Sequence, residues 1–452
     1  MPTVTPYIPH THSDREAMLA EVGAERVEDL FQPIPEKYRF PTLDLPGPMA
    51  ELDVMRELTD LAESNAEASH TPIFLGAGAY HHFIPSIVNH MILRGEFLTA
   101  YTPYQPEVSQ GTLQVVYEYQ SMICSLTGMD ASNASHYDGA TSMAEAVILA
   151  LNHHRGKRNK VIVSPTVHPQ YRAVMNTYIQ GMSLNIVGED DPQADLDDLI
   201  VQLDADTALL IVQHPNFLGE LEDLEGLANA VHDVGALLCI VTNPTALGML
   251  KPPGAYGADI VVGEGQPLGV PLSYGGPYLG FFATREKYVR KMSGRLVGET
   301  EDKNGNTGYV LTLTTREQHI RRGKATSNIC TNQGLMATAA AVYLSVMGKH
   351  GMAQVAELCY HKAHYAADQI AGLSDYSVRR NKSFFHEFVV ACPRPVAEIN
   401  AELFNEFGMI GGYDLGQDYE HLQNHMLVAV TEMLTRDDID DFVQALDEIA
   451  NP

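Results

Sequence analysis

The sequence predicts an α/β protein: a mostly parallel, doubly wound sheet, a smaller C-terminal α+β domain and an N-terminal helical arm. Three observations predict it. Between residues 160 and 263 short apolar runs alternate with helical stretches, the pattern of parallel strands joined by right-handed crossovers. Beyond about 335 a long small-residue helix is followed by separated strands and helices. The first 70 residues carry helical and proline-rich pieces with little to form a core.

The elements follow in order. In the arm, residues 1–70, "SDREAMLAEVG" opens with Ser13 and Glu16 at capping-box spacing and is stopped by Gly23, and "QPIPEKYRFP" and "DLPGP" follow. Such an arm is expected to wrap another part of an assembly. In the large domain, residues 71–335, "TLQVVYEYQSMICSLTGM" and "TSMAEAVILALNHHR" are amphipathic helices, the second beginning after the turn "YDGA". "KVIVSP", "SLNIVG", "ALLIVQ", "ALLCIVT" and "DIVVG" are strands. "PQYRAVMNTYIQG" is helical, and the helix "EGLANAVHDVG" lies between "ALLIVQ" and "ALLCIVT". In the small domain, residues 336–452, the helix "NQGLMATAAAVYLSVMG" leads into "FFHEFVVAC", "PVAEINAELFNEFG", "HMLVAVTEM" and the capped helix "TRDDIDDFVQALDEIA".

Composition narrows the function classes. The 452 residues are 45% hydrophobic and 19% charged, as a globular protein requires. The formal charge is -28, from 57 acidic against 29 basic residues, which argues against nucleic acid as a partner. The five cysteines are scattered and odd in number, the usage of a reduced cytoplasmic protein. No apolar run approaches the length that spans a membrane, and the start lacks an export signal.

Several motifs lead nowhere. "FLGAGAYHHF" has Gly76 and Gly78 of a dinucleotide fingerprint, but His81 stands at the third glycine. His81-His82 and His153-His154 are adjacent pairs without a carboxylate or cysteine at ligand spacing, so no metal site is expected. What remains is a set of polar loops at strand ends. Gly139, Thr141 and Ser142 stand at a helix N-terminus, a geometry suited to phosphate. His168, then His214 with Asn216, and the loop "VVGEGQP" end successive strands; together they suggest a ligand crevice or its remnant.

Longer stretches carry a resemblance. "YIPHT", "TAYTPYQPEVSQGTLQVVYEYQSMICSLTGMDASNAS", "GGPYLGFFATREKYVRKMSGRLVGET" and "YVLTLTTREQHIRRGKATSNICTNQGLMA" resemble the amino-terminal half of glycine decarboxylase, the P-protein of the glycine cleavage system. The resemblance runs from about residue 7 to the end, and the length fits the split form of that family, in which this half is a separate subunit 1. It implies the fold-type I pyridoxal-phosphate fold. It also implies that a subunit 2 of the same glycine dehydrogenase carries the cofactor lysine, in an α2β2 heterotetramer. The implied reaction is decarboxylation of glycine with transfer of the aminomethyl group to the lipoyl arm of the H-protein.

By the same resemblance this chain lacks the chemistry of its own pocket. Gln266-Pro267 stand where the family's catalytic subunit has a histidine-lysine pair, and proline has no amine to form a Schiff base. Asn243 stands where an aspartate would pair with the pyridine nitrogen, and an amide cannot stabilise a protonated ring as a carboxylate does. The degenerate pocket would comprise Gly139, Thr141, Ser142, His168, Asn216, Asn243, Gln266 and Pro267, with no catalytic residue in this chain. Pyridoxal phosphate would be bound covalently by the partner subunit. Two stretches would complete the partner's site: Tyr101, Thr102, Tyr104, Gln105 and Glu107 on a segment held extended by Pro103 and Pro106, and Thr326, Ser327 and Asn328 at the partner's cofactor phosphate, with Arg321, Arg322 and Lys324 nearby. Two competitors remain: a non-catalytic scaffold, and an independent enzyme using Lys251, whose following proline favours an extended chain away from the strand end.

Overall fold

A computed structural model describes residues 9–68, 70–100, 102–329 and 332–451. The chain divides between Ala66 and Glu67 into two compact units. In the first, a helix at His12–Val22 and another at Glu51–Glu63 flank two short 3-10 turns, and none of their residues is buried. The first helix starts two residues earlier than its sequence suggests: Thr11, not Ser13, is the cap, and Thr11 and Asp14 exchange N–H bonds of 2.8 and 3.2 Å. Asp14 reaches back from the third helical position, and its acidity suits the helix N-terminus as well as a glutamate would. Gly23 ends the helix in the left-handed region, as expected. On the second helix Leu52, Met55, Leu58 and Leu61 recur every three residues and are all exposed.

The second unit is built on a seven-stranded sheet. Its strands are β1 (Ala131–Ser132), β2 (Lys160–Val163), β3 (Asn185–Val187), β4 (Thr207–Gln213), β5 (Leu237–Val241), β6 (Ile260–Glu264) and β7 (Gly280–Thr284), in the order β1-β7-β6-β5-β4-β2-β3. From β6 to β3 every pair is parallel, whereas β7 runs antiparallel to both β6 and β1. Alternate residues of one strand enter different cores. Leu210, Val212, Leu238 and Ile240 pack with the helices Gln110–Thr127 and Gly334–Ile370, while Leu209, Ile211, Leu237 and Cys239 pack beneath Gly139–His153 and Pro169–Ile179. Burial on both faces is why these strands read as unbroken apolar runs.

A hairpin, β8 (Leu296–Glu301) with β9 (Thr307–Thr312), follows the sheet. The helix Gly334–Ile370 then breaks at Gly348, whose φ of 56° and ψ of -175° no helix contains. It leads to an antiparallel sheet of β10 (Ser377–Val378), β11 (Glu387–Ala391), β12 (Tyr413–Asp414) and β13 (His425–Ala429), ordered β10-β11-β13-β12. The helices Val396–Phe407 and Arg436–Ala450 cover it around Phe388, Val428 and Phe442. Among the described residues no helix is long and apolar enough to cross a membrane.

Candidate functional site

The strand-end loops come together. Those after β2, β4, β5 and β6 lie at the carboxyl edge of the parallel strands, where such sheets bind ligands, and the N-terminus of the helix Gly139–His153 meets them. Two of the first-turn donors of that helix are already used. Gly139 N–H donates to Glu264 Oε2 at 3.0 Å, and Thr141 N–H donates to the N-cap carboxylate Asp138 Oδ1 at 2.7 Å. The Thr141 and Ser142 hydroxyls turn back onto the Asp138 carbonyl at 3.0 and 2.9 Å. A side chain at position 139 would collide with the Tyr171 hydroxyl, so only glycine permits this closeness.

The other expected pocket residues are equally engaged. His168 stacks on Tyr171, with ring centroids 4.6 Å apart, and donates from Nε2 to the Ala77 carbonyl at 2.8 Å while Nδ1 accepts from Gln170 N–H. Burial, partly offset by the Ala77 carbonyl, lowers its pKa to about 4, so the ring is neutral, as those partners require. Gly78, at a φ of 106°, brings the "GAGAY" loop so close that a Cβ there would lie 2.6 Å from His168 Nε2. The glycines that mimic a dinucleotide fingerprint thus serve to close the pocket.

Gln266 clamps the same loop. Its Oε1 accepts from Tyr80 N–H at 2.9 Å and its Nε2 donates to the carbonyls of Tyr80 and Val270 at 2.9 and 2.7 Å. Asn216 is a turn residue: its Oδ1 accepts from Leu218 and Glu220 N–H and its Nδ2 donates to Glu222. Asn243 accepts from Thr245 N–H, while its buried Nδ2 has no partner and borders the cavity with Pro267. That cavity measures about 30 Å³. Cofactor pockets are at least about tenfold larger than the space between these residues.

Sequence reasoning missed the two carboxylic acids that matter most here. Glu264 accepts from Gly139, Gln266 and Leu279 N–H, and Glu387 on β11 accepts from Ala77 N–H at 2.8 Å and the Tyr80 hydroxyl at 2.8 Å. Burial pushes each up to about 7, against the opposing pull of those donors. Only Glu264 had a signal, its place in "VVGEGQP".

A group raised in the folded chain contributes stability that is fully present below about pH 4.5 and is lost as the pH rises through about 7. Glu387→Gln keeps an acceptor for Ala77 and cannot ionise. Urea unfolding at pH 5 and pH 8 is expected to show a stability difference about 1–3 kcal/mol smaller in the variant than in the parent chain. An unchanged difference would contradict the burial cost.

A second group lies in the stretches expected to face a partner. Tyr104, half exposed, accepts a 3.0 Å hydrogen bond from Arg295 Nη2, sits 5.4 Å from that guanidinium through its ring, and meets His319 edge-on at 6.0 Å. Arg295 is 4% exposed, lies 3.8 Å from Glu317 and has no hydrogen-bond partner at Nε. Gln110 binds Tyr309 twice, by Nε2 to its carbonyl and by Oε1 from its N–H. Residues 102–110 and 295–319 are thereby joined, a convergence that spacing alone does not announce.

Gln105 and Glu107 are exposed, Thr102 is half-buried, and Pro106–Val108 forms a 3-10 turn rather than extended chain. Proline suits the first position of such a turn, where its missing N–H would have no partner and its fixed φ is already in place. Tyr101 lies outside the described residues. Ser327 donates to Glu145 Oε1 at 2.6 Å, inward in this chain; Thr326 is half-buried and Asn328 exposed.

The fold also supplies what spacing denied to His82. Its Nδ1 donates to Glu432 Oε2 at 2.7 Å, Cys359 Sγ lies 3.3 Å from the same oxygen, and Phe83 N–H donates to Oε1 at 2.7 Å. Both carboxylate oxygens have protein donors. Lys251 pairs with Glu225 at 2.7 Å and lies over the Tyr256 ring, away from the residues lining the cavity.

Such a sheet, with its ligand edge facing a helix N-terminus and a long helix leading to a small antiparallel domain, defines the fold-type I class of pyridoxal-phosphate enzymes. A sphingosine-1-phosphate lyase from Burkholderia pseudomallei shares the fold, at a TM-score of 0.64 and 15% identity over 92% of this chain and 94% of the other. Within that class the chain belongs to the glycine cleavage system P-protein family, whose profile matches residues 5–446. It is 54% identical to a probable glycine dehydrogenase (decarboxylating) subunit 1 of Thermomicrobium roseum, over 98% of this chain and 99% of that one. A crystal structure of glycine decarboxylase (P-protein) of the glycine cleavage system, in inhibitor-bound form, superposes with a TM-score of 0.89 and 43% identity over 98% of this chain and 99% of that chain.

Proposed function

We propose that this chain is the non-lysine-bearing subunit of a split glycine decarboxylase, working in the cytoplasm with a subunit 2 as an α2β2 heterotetramer. It completes a site in which the partner holds pyridoxal phosphate, where glycine is decarboxylated and its aminomethyl group passes to the lipoyl H-protein. One observation carries the reading: the chain's own pocket is filled by its own side chains, while a braced aromatic and charged group stands exposed elsewhere. Subunit 1 relatives matched over nearly their full length, and Pro267 in place of a lysine, support it.

In this reading each segment has a task. The Arg295 guanidinium fixes the Tyr104 hydroxyl and ring, so that the tyrosine meets the partner's site without first losing rotamer freedom. Thr102, Gln105 and Glu107, with Tyr101, present hydrogen-bonding groups suited to a small amino acid. Thr326 and Asn328 extend toward the partner's cofactor phosphate, while Ser327 anchors their loop on Glu145. The exposed apolar row of the arm suits a chain whose arm is covered by another subunit.

The Schiff-base assignment is tested by borohydride reduction of the assembled complex loaded with pyridoxal phosphate, followed by peptide mapping. Label is expected on a lysine of the partner alone. Label on Lys251 would overturn the reading.

A further inference from the structure

We propose that the helix N-terminus at Gly139 is filled by the chain's own Glu264 carboxyl group, a built-in occupant that shuts the pocket against phosphate-bearing ligands. A fifteen-residue helix directs first-turn N–H groups that lack an intrahelical partner, and the positive end of its dipole, at this spot. Glu264 takes that place with the geometry of a bound ligand. It is 8% exposed, and it accepts 2.9 and 3.0 Å bonds from three backbone N–H groups on three separate segments, at Gly139, Gln266 and Leu279.

Two further features make the occupancy exclusive. Asp138 already takes Thr141 N–H, so an incoming phosphate would meet two carboxylates where it needs donors. Gln266 holds the Tyr80 loop over the top, and the Tyr171 hydroxyl presses on Gly139. The loss of Schiff-base chemistry at Pro267 and the filling of the phosphate position by Glu264 are then separate features, three residues apart in the chain.

The inference rests on the proposed function only in taking this pocket as one that holds no cofactor. Its test uses the full-length chain with inorganic phosphate, without partner or turnover, so either can fail alone. Thermal unfolding is followed against phosphate concentration, with chloride at matched ionic strength as control. Glu264→Ala vacates the position, and phosphate is expected to stabilise it saturably, with at least tenfold higher affinity than the parent chain shows. Glu264→Gln fills the same volume and is expected to stay as unresponsive as the parent. If Glu264→Ala does not accumulate folded, its refolding yield from urea is expected to rise at least threefold with phosphate. Saturable phosphate binding by the parent chain, an equal response of Glu264→Gln and Glu264→Ala, or a Glu264→Ala chain whose stability and refolding both ignore phosphate would each overturn the proposal.

Discussion

In the assembled complex, Tyr104→Ala is expected to lower kcat/KM for glycine-dependent carbon dioxide exchange about 100-fold, while the complex elutes at its normal size. The magnitude follows from positioning: displacing a group that orients substrate by about 1 Å costs rates of this order. Tyr104→Phe keeps the ring over the guanidinium and loses only the hydroxyl that accepts from Arg295, so a smaller loss, about tenfold, is expected. The pair separates two accounts of the chain. A scaffold contributes nothing to the chemistry, and would leave exchange intact with either substitution.

The second large effect is on stability. Glu432→Ala would strip His82 and Phe83 of their shared acceptor in a place where His82 is 5% exposed. Breaking a buried pair by removing one partner costs about 3–5 kcal/mol, because the other is left desolvated and unpaired. Urea unfolding at pH 7 is expected to register that loss. Burial pushes the Glu432 carboxyl up, but the hydrogen bond and charge of His82 and the Phe83 N–H pull it down further, to about 2. A carboxyl depressed in the folded state contributes stability present above about pH 4.5 and lost as the pH falls toward 2. The acid limb of the stability profile is therefore expected to flatten in the variant; an unchanged limb would contradict the assignment.

The strands β2, β4, β5 and β6 were legible because burial on both faces leaves an unmistakable apolar run. β7 was hidden: Gly280–Thr284 follows "YGGP", and its five residues run antiparallel, against the pattern set by the crossovers. The hairpin β8-β9 is half exposed and polar at its tip, so it lacks the alternation that marks a strand. The cap of the first arm helix is ambiguous in sequence because Thr11 and Ser13 offer equivalent hydroxyls, and the return bond from Asp14 decides for Thr11.

At the site, the strand-end loops could be read, since each follows a recognisable strand. What fills them could not. Glu387 reaches Ala77 and Tyr80 across some 310 residues of chain, and Glu432 reaches His82 across 350. No local pattern encodes such pairs. Glu264 lies within "VVGEGQP", but two of its three donors, Gly139 and Leu279, come from other segments that the loop's own sequence does not indicate. The bracing of Tyr104 by Arg295 likewise joins positions 191 residues apart.

The central claim is that the cofactor chemistry belongs to the partner and that this chain is needed to complete it. The most direct measurement is glycine-dependent carbon dioxide exchange, with visible absorption recorded in parallel, for this chain with pyridoxal phosphate, for subunit 2 with pyridoxal phosphate, and for the two combined. Full exchange in the mixture alone, with no visible cofactor band from this chain by itself, is the predicted result. Exchange or a stoichiometric cofactor band from this chain alone would contradict the claim, as would full exchange by subunit 2 without it.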